Sequence, residues 1–223
     1  MAIESQGILI RRQSTTAGST AQTVAATMAF SAVSTNITRS DVGSFVVDGF
    51  STGMRCETDS TANSTRVFTL ASVAATVMSV HEPVIAQSSG ISITLTGHTM
   101  LPIATITGFK GPSGSASVID ITSLQSTAKE KAIGLRDEGQ MTLDIIFDTN
   151  ATSLHAAIRN DRSSRTKRIF DIVLTDQSTS GQPSAFYFDG YVTNFALQGA
   201  VDDVVKASAT IEISSAVRAI AKT

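Results

Sequence analysis

The sequence predicts a mostly β fold: a β-sandwich or barrel with one flanking α-helix, into which a small all-β module is inserted. Short runs rich in β-branched residues recur along the first half, separated by Ser, Asn and Gly turns. In the second half, longer runs alternate apolar and polar residues, the period of a strand with one buried face. Only one segment has the apolar spacing of an amphipathic helix. These three observations together predict the mostly β fold.

The first half is predicted to contain short strands. Pro102 interrupts the last of them early, because proline cannot donate to a strand ladder. The segment 117–124 is expected to be extended. The candidate strands are 7–13, 44–50, 66–73, 76–83, 89–97 and 100–109.

A long polar segment follows, QSTAKEKAIGLRDEG (125–139), which contains charges of both signs and the internal Gly134. It has no strand or helix periodicity, and we expect a loop. Loops of this length inside a compact domain are uncommon and are usually functional.

The second half is predicted to contain longer strands. The clearest alternation lies within 205–214, where Ala207, Ala209 and Ile211 share one side. The aromatic-rich run 184–199 is either a strand pair or one bent strand, with Gly190 as a candidate bulge. The other candidate strands are 141–148 and 168–176.

The single predicted helix lies between strands 141–148 and 168–176, where it is expected to cover an open end or a flank of the sandwich. Leu154, Ala157 and Ile158 have i, i+3, i+4 spacing. The candidate N-cap residues are Thr149, Asn150 and Thr152.

A composition shift predicts the domain organisation. Residues from about 25 to 98 form short, Ser/Thr-rich strands, whereas the later strands carry longer side chains. We therefore expect a first strand and arm over 1–24, an inserted β module over 25–98, and the rest of the main domain over 99–223.

Composition excludes several classes of protein. The net charge of −2 does not suit a high-affinity nucleic-acid binder. A single cysteine, Cys56, excludes an intrachain disulfide and is expected to be a buried or half-buried structural thiol. No apolar run approaches the ~20 residues that span a bilayer, and the N-terminus does not read as a signal peptide. We expect a soluble protein made in the cytoplasm, with no membrane anchor.

No catalytic or metal-binding pattern is recognisable. His81, His98 and His155 have no metal ligand at suitable spacing, and His155 is expected at the polar edge of the helix. The Gly-rich stretch 108–114 lacks the order of a phosphate-binding loop and predicts a tight turn. We expect neither an enzyme nor a cofactor.

Two charged clusters remain. Asp202 and Asp203 lack further oxygen ligands at suitable spacing, so a solvated turn is favoured over a Ca²⁺ site. A basic cluster predicts an exposed, partly ion-paired loop, and an intersubunit contact is the second interpretation. Its members are Arg159, Arg162, Arg165, Lys167 and Arg168.

Several segments occur in a specific order: SQGILIRR, ATITGFKGPSGSASVIDITSL, GLRDEGQMTLDIIFD, LHAAIRN, TKRIFDIVLTD and AFYFDGYVTNFALQGAVDDVVKASATIEIS. In this order the chain resembles the tail tube proteins of long-tailed bacteriophages, over residues 1–15 and 100–215. The segment 37–97 departs from the minimal pattern and resembles a β module inserted in some tail tube proteins. Exposure of this module on the outside of the tube is expected.

The resemblance implies a structural virion protein that is synthesised and assembled in the bacterial host cytoplasm. Six subunits form a ring whose sheets join into one continuous β-barrel, and stacked rings form a hollow tube through which DNA leaves without sequence-specific binding. Its partners are other copies, the tail tip or initiator complex, the tape measure protein and the tail terminator. The resemblance places an inter-ring contact in 123–139, with the residues Ser123, Lys129, Glu130, Lys131, Arg136, Asp137 and Glu138.

Within this interpretation, a channel for DNA has few fixed cations, because DNA is a polyanion. We predict that Ser208, Thr210 and Glu212 face the channel, and that Asp202, Asp203, Arg159, Arg162 and Arg165 form subunit contacts. The alternative is a receptor- or carbohydrate-binding β-domain, which requires an exposed aromatic cluster. The only tyrosines, Tyr187 and Tyr191, lie in one internal strand, which argues against it.

Overall fold

The computed structural model describes residues 7–14, 22–150, 152–176, 182–201 and 203–221. Within these ranges the chain forms strands and one helix, α1 (Leu154–Ser164). The strands are β1 (Leu9–Gln13), β2 (Gln22–Ser31), β3 (Asn36–Arg39), β4 (Arg55–Thr58), β5 (Val67–Val73), β6 (Val77–Val80), β7 (Gln87–His98), β8 (Met100–Pro102), β9 (Ile106–Lys110), β10 (Ser115–Asp120), β11 (Lys131–Asp137), β12 (Gln140–Ile146), β13 (Arg168–Val173), β14 (Ala185–Gln198), β15 (Lys206–Ile213) and β16 (Arg218–Ile220). The mostly β fold with one helix is confirmed.

The chain divides into two compact units. Unit 1 consists of Met1–Ile103, Ile169–Tyr187 and Arg218–Thr223, and unit 2 consists of Ala104–Arg168 and Phe188–Val217. The chain passes between them more than once, so neither unit is one continuous segment.

Unit 1 contains a closed six-stranded barrel with the strand order β2-β3-β6-β5-β4-β7. Closure is made by β2 and β7, which pair antiparallel from Gln22 opposite Gly97 onward. The interior is apolar: Met28, Ile37, Phe68, Leu70 and Leu95 are fully buried. Every strand of a closed barrel has two neighbours, so the barrel offers no free strand edge.

Beside the barrel, unit 1 contains the strands β8, β1, β13 and the first part of β14, in that order, with β16 paired to β14. Val67 of the barrel packs in a buried apolar cluster with residues of these strands: Met100, Ile169, Val173, Ala185, Tyr187 and Ile220. The barrel and the sheet strands of unit 1 therefore share a core.

A buried ionic network joins the same elements of unit 1. Arg55 of β4 donates from Nε to Oδ2 of Asp171 in β13 at 3.1 Å, and Arg11 of β1 donates to Oδ1 of Asp171 at 2.9 Å. Arg55 also contacts Thr69, whose N–H and hydroxyl donate to Glu82 at 2.6 Å each. The charged groups are paired, as burial requires.

Unit 2 contains a four-stranded antiparallel sheet with the order β14-β15-β12-β9, in which only the second part of β14 takes part. It also contains α1 and the separate two-stranded ribbon β10–β11. Within the described residues, β14 and β9 are the end strands of this sheet.

Several predicted elements differ from the structure. The strand β2 is missed, because its sequence QTVAATMAFS is rich in alanine, a weak strand former. The predicted strand 44–50 is a turn, closed by hydrogen bonds from Gly49 N–H to Val46 O and from Phe50 N–H to Phe45 O. The valines of this segment favour a strand. The segment is nevertheless a turn, and the residues that it buries in the barrel are Phe45 and Phe50.

The helix exists where predicted, but its cap and buried face differ. Ser153 is the N-cap, and its hydroxyl accepts from Ala156 N–H at 3.3 Å. The buried residues are His155, Ala156, Ile158 and Asp161. Leu154 and Ala157 are only half-buried, so the apolar spacing identified the helix without identifying its inner face.

Candidate subunit-assembly surface

One face of the unit 2 sheet is polar. Direct partners on antiparallel strands project side chains to the same face, so the register aligns the residues of β15 with those of β12 and β14. Ser208 and Thr210 are half-buried and Glu212 is exposed, as predicted for a solvent-facing side of this strand. The aligned rows are Gln140–Glu212–Tyr191, Thr142–Thr210–Asn194 and Asp144–Ser208–Ala196.

The opposite face of the same sheet is buried. Met141, Leu143, Ile145, Ala209 and Ile211 are all completely inaccessible to solvent. The alternation predicted from the sequence is therefore present in both β12 and β15. Because the apolar face is already covered, only the polar face is left for contact with solvent or a ligand.

The polar face has balanced charge. Lys110 of β9 pairs with Thr142 of β12, and Lys206 is the residue of this face at the start of β15. Two carboxylates, Asp144 and Glu212, lie on the same face. Two cations against two anions, with Lys206 also paired to Asp203 at 2.8 Å, leave no excess of positive charge on this face, so it does not attract a polyanion strongly.

Both edges of this sheet are open in unit 2. The second part of β14 pairs with β15 on one side, and β9 pairs with β12 on one side. β13 lies beside β14 in the sheet, but it starts at Arg168 and its pairing runs back from the hydrogen bond of Leu174 N–H to Ser184 O, so it borders only the first part of β14. Past it, the described residues provide no strand on the outer side of β14, nor on the outer side of β9. Unpaired N–H and C=O groups on such edges are ready to pair with another strand.

The edge strand β14 is irregular at its centre. Its register with β15 shifts between Val192 and Asn194, so the bulge lies there and not at the predicted Gly190. Gly190 has a different role: an added Cβ would lie 2.6 Å from Ile211 Cγ2 and 2.9 Å from Glu212 O. Glycine is needed here because the neighbouring strand approaches closely.

The segment predicted as a long loop is partly a strand. Lys131–Asp137 forms β11, which pairs with β10 through Val118 opposite Ile133 and Asp120 opposite Lys131. The expectation of an irregular loop over the whole of 125–139 was wrong. The apolar residues of this strand, Ile133 and Leu135, are both exposed and flank Gly134, so the strand has no buried apolar face of the kind that sequence alternation reveals. A two-stranded ribbon is recognisable only once its partner strand is known.

The predicted contact residues of this segment lie on and beside the ribbon. Lys129, Glu130 and Lys131 are exposed, and Ser123 Oγ lies 3.2 Å from Ser126 Oγ in a turn. Arg136 forms an ion pair with the half-buried Glu138. The ribbon and the segment that joins its two strands also expose aliphatic side chains, a feature that the sequence did not single out: Val118, Ile119, Ile121, Leu124, Ile133 and Leu135.

The basic cluster separates into paired and unpaired residues. Lys167 pairs with Asp189 at 3.1 Å, and Arg168 pairs with Asp161 at 3.0 Å. The other three, Arg159, Arg162 and Arg165, are exposed and form no ion pair with any described residue. Arg159 lies in the middle of α1, whereas Arg162 lies in its last turn and Arg165 is its C-cap, where the helix dipole favours cations.

Two of these arginines line a groove beside the open edge of β14. The groove has a volume of about 570 Å³ and is lined by Arg162, Ser163, Arg165, Tyr191, Val192 and Thr193. Tyr191 is 40% exposed, whereas Tyr187 is buried. The sequence does not reveal that the C-terminal end of α1 lies beside Tyr191, because β13 separates the two along the chain.

The turn between β14 and β15 carries the predicted acidic pair. Asp203 is exposed, and its carboxylate lies 2.8 Å from Lys206 Nζ. The hydrogen bond from Lys206, with a further one from the Val204 N–H, holds the pKa of Asp203 below its usual value. Asp202 lies outside the described residues.

The remaining candidates have structural roles. His155 is buried: its Nδ1 accepts from Asp148 N–H at 3.0 Å, so Nε2 donates to Ala104 O at 3.0 Å. The predicted polar-edge position was therefore wrong. Cys56 is a fully buried free thiol, as predicted.

Neither a metal centre nor a spanning helix is found in the described ranges. There, His, Cys, Asp and Glu side chains do not gather in threes or more with the geometry to bind a metal ion. The helix that the structure describes, with 11 residues, is too short and too polar to cross a membrane.

Comparison with known proteins identifies the family. No curated protein matches the chain in sequence. A family model described as phage tail tube, TTP, lambda-like, matches residues 84–223, which include β7 to β16, the polar sheet and the arginine groove. Members of a tail tube family are structural parts of the virion and not enzymes. The chain therefore belongs to the lambda-like phage tail tube family.

Proposed function

We propose that the chain assembles into hexameric rings that stack into the hollow tube of the phage tail, a conduit for DNA ejection. The observation that carries the proposal is the unit 2 sheet, which combines two open edges with one buried face and one neutral polar face. The number six and the passage of DNA come from the family resemblance.

The open edges explain how a ring closes. When β9 of one copy pairs with β14 of the next, each sheet edge is satisfied, and cyclic repetition leaves none exposed. Strand direction is compatible with this joint. β14, β15, β12 and β9 alternate in direction, so β9 and the next copy's β14 meet antiparallel.

The polar face then lines the channel. The other face is buried within the subunit, so a barrel made of these sheets must present Ser208, Thr210 and Glu212 on its exposed side. A neutral wall with few unpaired cations lets a polyanion slide, because there is little counterion release to hold it.

The ribbon β10–β11 is proposed as the contact between successive rings. A two-stranded ribbon is only marginally stable alone in water, and this one exposes aliphatic side chains on both strands. In the stacked tube these aliphatic side chains are buried against the next ring. The charged residues around 129–138 set how one ring aligns with the next. The tail tip complex, the tape measure protein and the tail terminator are proposed partners, with assembly in the host cytoplasm.

The barrel is proposed as a module inserted at about 25–98 and displayed on the outside of the tube. Its strands are all paired in a closed cylinder, so it has no edge to contribute to the ring joint. The family match begins at residue 84, after most of the barrel, which supports an insertion.

Cysteine cross-linking tests the ring joint. Gly108 on β9 accepts a side chain, since an added Cβ would lie 3.8 Å from the nearest atom, Asp144 Oδ2. We expect Gly108→Cys combined in turn with Asn194→Cys, Ala196→Cys or Gln198→Cys to give, in one pairing, a covalent ladder that ends at the hexamer. Single-cysteine variants are the controls. A ladder that continues past six, or assembled protein with no cross-link in any pairing, contradicts the closed ring.

Gold labelling tests the channel wall. A gold cluster attached to Thr210→Cys is expected to produce density on the tube axis in electron micrographs. The same label on Val33→Cys, a fully exposed residue of the barrel, is expected on the outer surface. Cys56 is buried and does not compete for the label. Density from position 210 on the outside of the tube contradicts the assignment of this face.

A further inference from the structure

The ribbon β10–β11 leaves the unit 2 sheet at one end of its strands. At this end β9 stops at Lys110 and β12 starts at Gln140, and the chain of the ribbon runs between them. The most exposed aliphatic residues of the ribbon and its joining segment are Leu124, Ile133 and Leu135. Single exposed leucines are common on protein surfaces, but a group of exposed aliphatic side chains on one ribbon marks a contact surface.

The opposite end of the same sheet carries the turn between β14 and β15. β12 ends here at Ile146, which pairs with Lys206. Phe147 N–H donates to Val205 O at 2.8 Å, so the turn is held against the end of β12 by a backbone hydrogen bond. The end of β14 and this turn expose four aliphatic residues, which we call the turn surface: Leu197, Val201, Val204 and Val205.

The ribbon and the turn surface account for nearly all the exposed large apolar side chains of unit 2. In the described ranges of this unit, only Phe109 and Tyr191 are exposed large apolar residues outside these two surfaces. The apolar exposure of unit 2 is therefore concentrated at the two opposite ends of one sheet.

The ring joint brings these unlike ends together. Strands that pair side by side around a barrel run along its axis with a tilt, so their ends face the rings above and below. Rings that stack head to tail repeat one contact between two different surfaces. The ribbon end of one copy therefore meets the turn end of a copy in the next ring.

The ribbon is long enough to make this contact. The six residues of β10 span about 20 Å at ~3.3 Å per residue, close to the roughly 23 Å spanned by the seven residues of β12. A ribbon almost as long as the sheet strand extends well beyond the end from which it starts.

We propose that the aliphatic side chains of the ribbon pack on the turn surface of a copy in the next ring. The inference rests on the proposed ring joint and names the surface that receives the ribbon. The occupant is a second copy of this chain, because each copy carries both surfaces at opposite ends of its sheet. Such a contact repeats without closing, which is the geometry of a filament of rings.

A charge placed on either surface tests the contact. The double variant Val201→Asp, Val204→Asp is expected to remain folded by circular dichroism and to form single rings, with at least tenfold fewer tubes by sedimentation. Ile133→Asp, Leu135→Asp is expected to stop assembly at the same stage, because both variants place carboxylates in one apolar contact. Normal tube formation by either variant overturns the proposal and leaves the ring joint intact.

The control is Val33→Asp, Val42→Asp, which adds the same charge at two fully exposed valines of unit 1. It is expected to form tubes as wild type does, because neither valine belongs to the ribbon or the turn surface. An equal loss of tubes in this control overturns the proposal, since the loss then follows the added charge and not its position.

Cross-linking distinguishes this contact from the ring joint. A chain with Leu124→Cys and Val201→Cys, treated with a short bis-maleimide, is expected to give covalent products that continue past the hexamer, because each copy is linked to one copy above and one below. Single-cysteine variants are the controls. Products that end at six place the ribbon on a neighbour in the same ring, and tubes without cross-linked products place it elsewhere on the next ring. Either result overturns the proposal, whereas a wild-type chain that never forms rings overturns the ring joint as well.

Discussion

Cys56 shows how burial alone changes the chemistry of one residue. The thiol is fully buried in the barrel core, and loss of solvent raises its pKa from 9.0 to about 12, with a further contribution from Glu57. Only the thiolate is a nucleophile, so this cysteine is inert in the native chain. The sequence alone already indicated a structural thiol, because nothing around Cys56 matches the sequence context of a catalytic cysteine.

The raised pKa predicts a loss of stability in alkali. Between pH 9 and about pH 12 the unfolded thiol gives up its proton while the folded thiol keeps it, so the folded state binds more protons. The contribution of the protonated thiol to the free energy of unfolding is complete below pH 9. Above pH 9 this contribution falls by up to about 1.4 kcal/mol per pH unit. We expect the unfolding free energy of wild type, minus that of Cys56→Ala, to decrease over this window in urea titrations. A difference that does not vary with pH contradicts the assignment.

At the level of the element, α1 depends on its first turn. Its N-cap is Ser153, whose hydroxyl satisfies an N–H that has no partner within the helix. Sequence analysis placed the cap at Thr149, Asn150 or Thr152. In the structure, Asn150 Oδ1 accepts from the Thr152 N–H and hydroxyl, which makes the preceding turn instead.

Replacement of this cap is expected to destabilise the helix by a measurable amount. Ser153→Ala removes the acceptor and is predicted to lower the free energy of unfolding by about 1 kcal/mol. Ser163→Ala, in the last turn of the same helix, is the matched control, because its exposed hydroxyl bonds only to Asn160 O. Equal effects of the two substitutions in denaturant titrations would show that Ser153 does not act as a cap.

Across the molecule, one ionic network ties unit 1 together. Asp171 is a fully buried carboxylate that accepts from Arg11 and Arg55, and Arg55 comes from a strand of the barrel. Together with the apolar cluster around Val67, it makes the barrel part of the same cooperative structure as β1 and β13. The barrel is therefore expected to unfold together with those strands.

Removing the charge of Asp171 tests that cooperativity. Asp171→Asn removes the nearer of the two carboxylates that neutralise the buried Arg55 and leaves only Glu82, at 3.7 Å; breaking a buried pair typically costs about 3–5 kcal/mol, and we expect the lower end of that range. We expect a lower urea midpoint, and hydrogen exchange in which β5 and β13 no longer open together. Asp203→Asn, which breaks an exposed pair, is expected to leave the midpoint unchanged. A midpoint of Asp171→Asn within error of wild type would contradict the role of the network.

The sequence by itself determined the local features of this protein. A period of two identified β12 and β15 and their buried faces, and helical spacing identified α1. The order of motifs indicated the family. These features are local because side-chain alternation and helix periodicity are set by neighbours along the chain.

Only the tertiary structure decided which distant residues meet. Asp171 lies 116 positions from Arg55, and the groove brings the end of α1 beside Tyr191. The closure of the barrel through β2, and the pairing that makes β11 a strand, were also invisible in the sequence. The reason is physical: partners across a sheet are selected by which strands jointly bury an apolar face, and no periodicity within one strand encodes the identity of its neighbour.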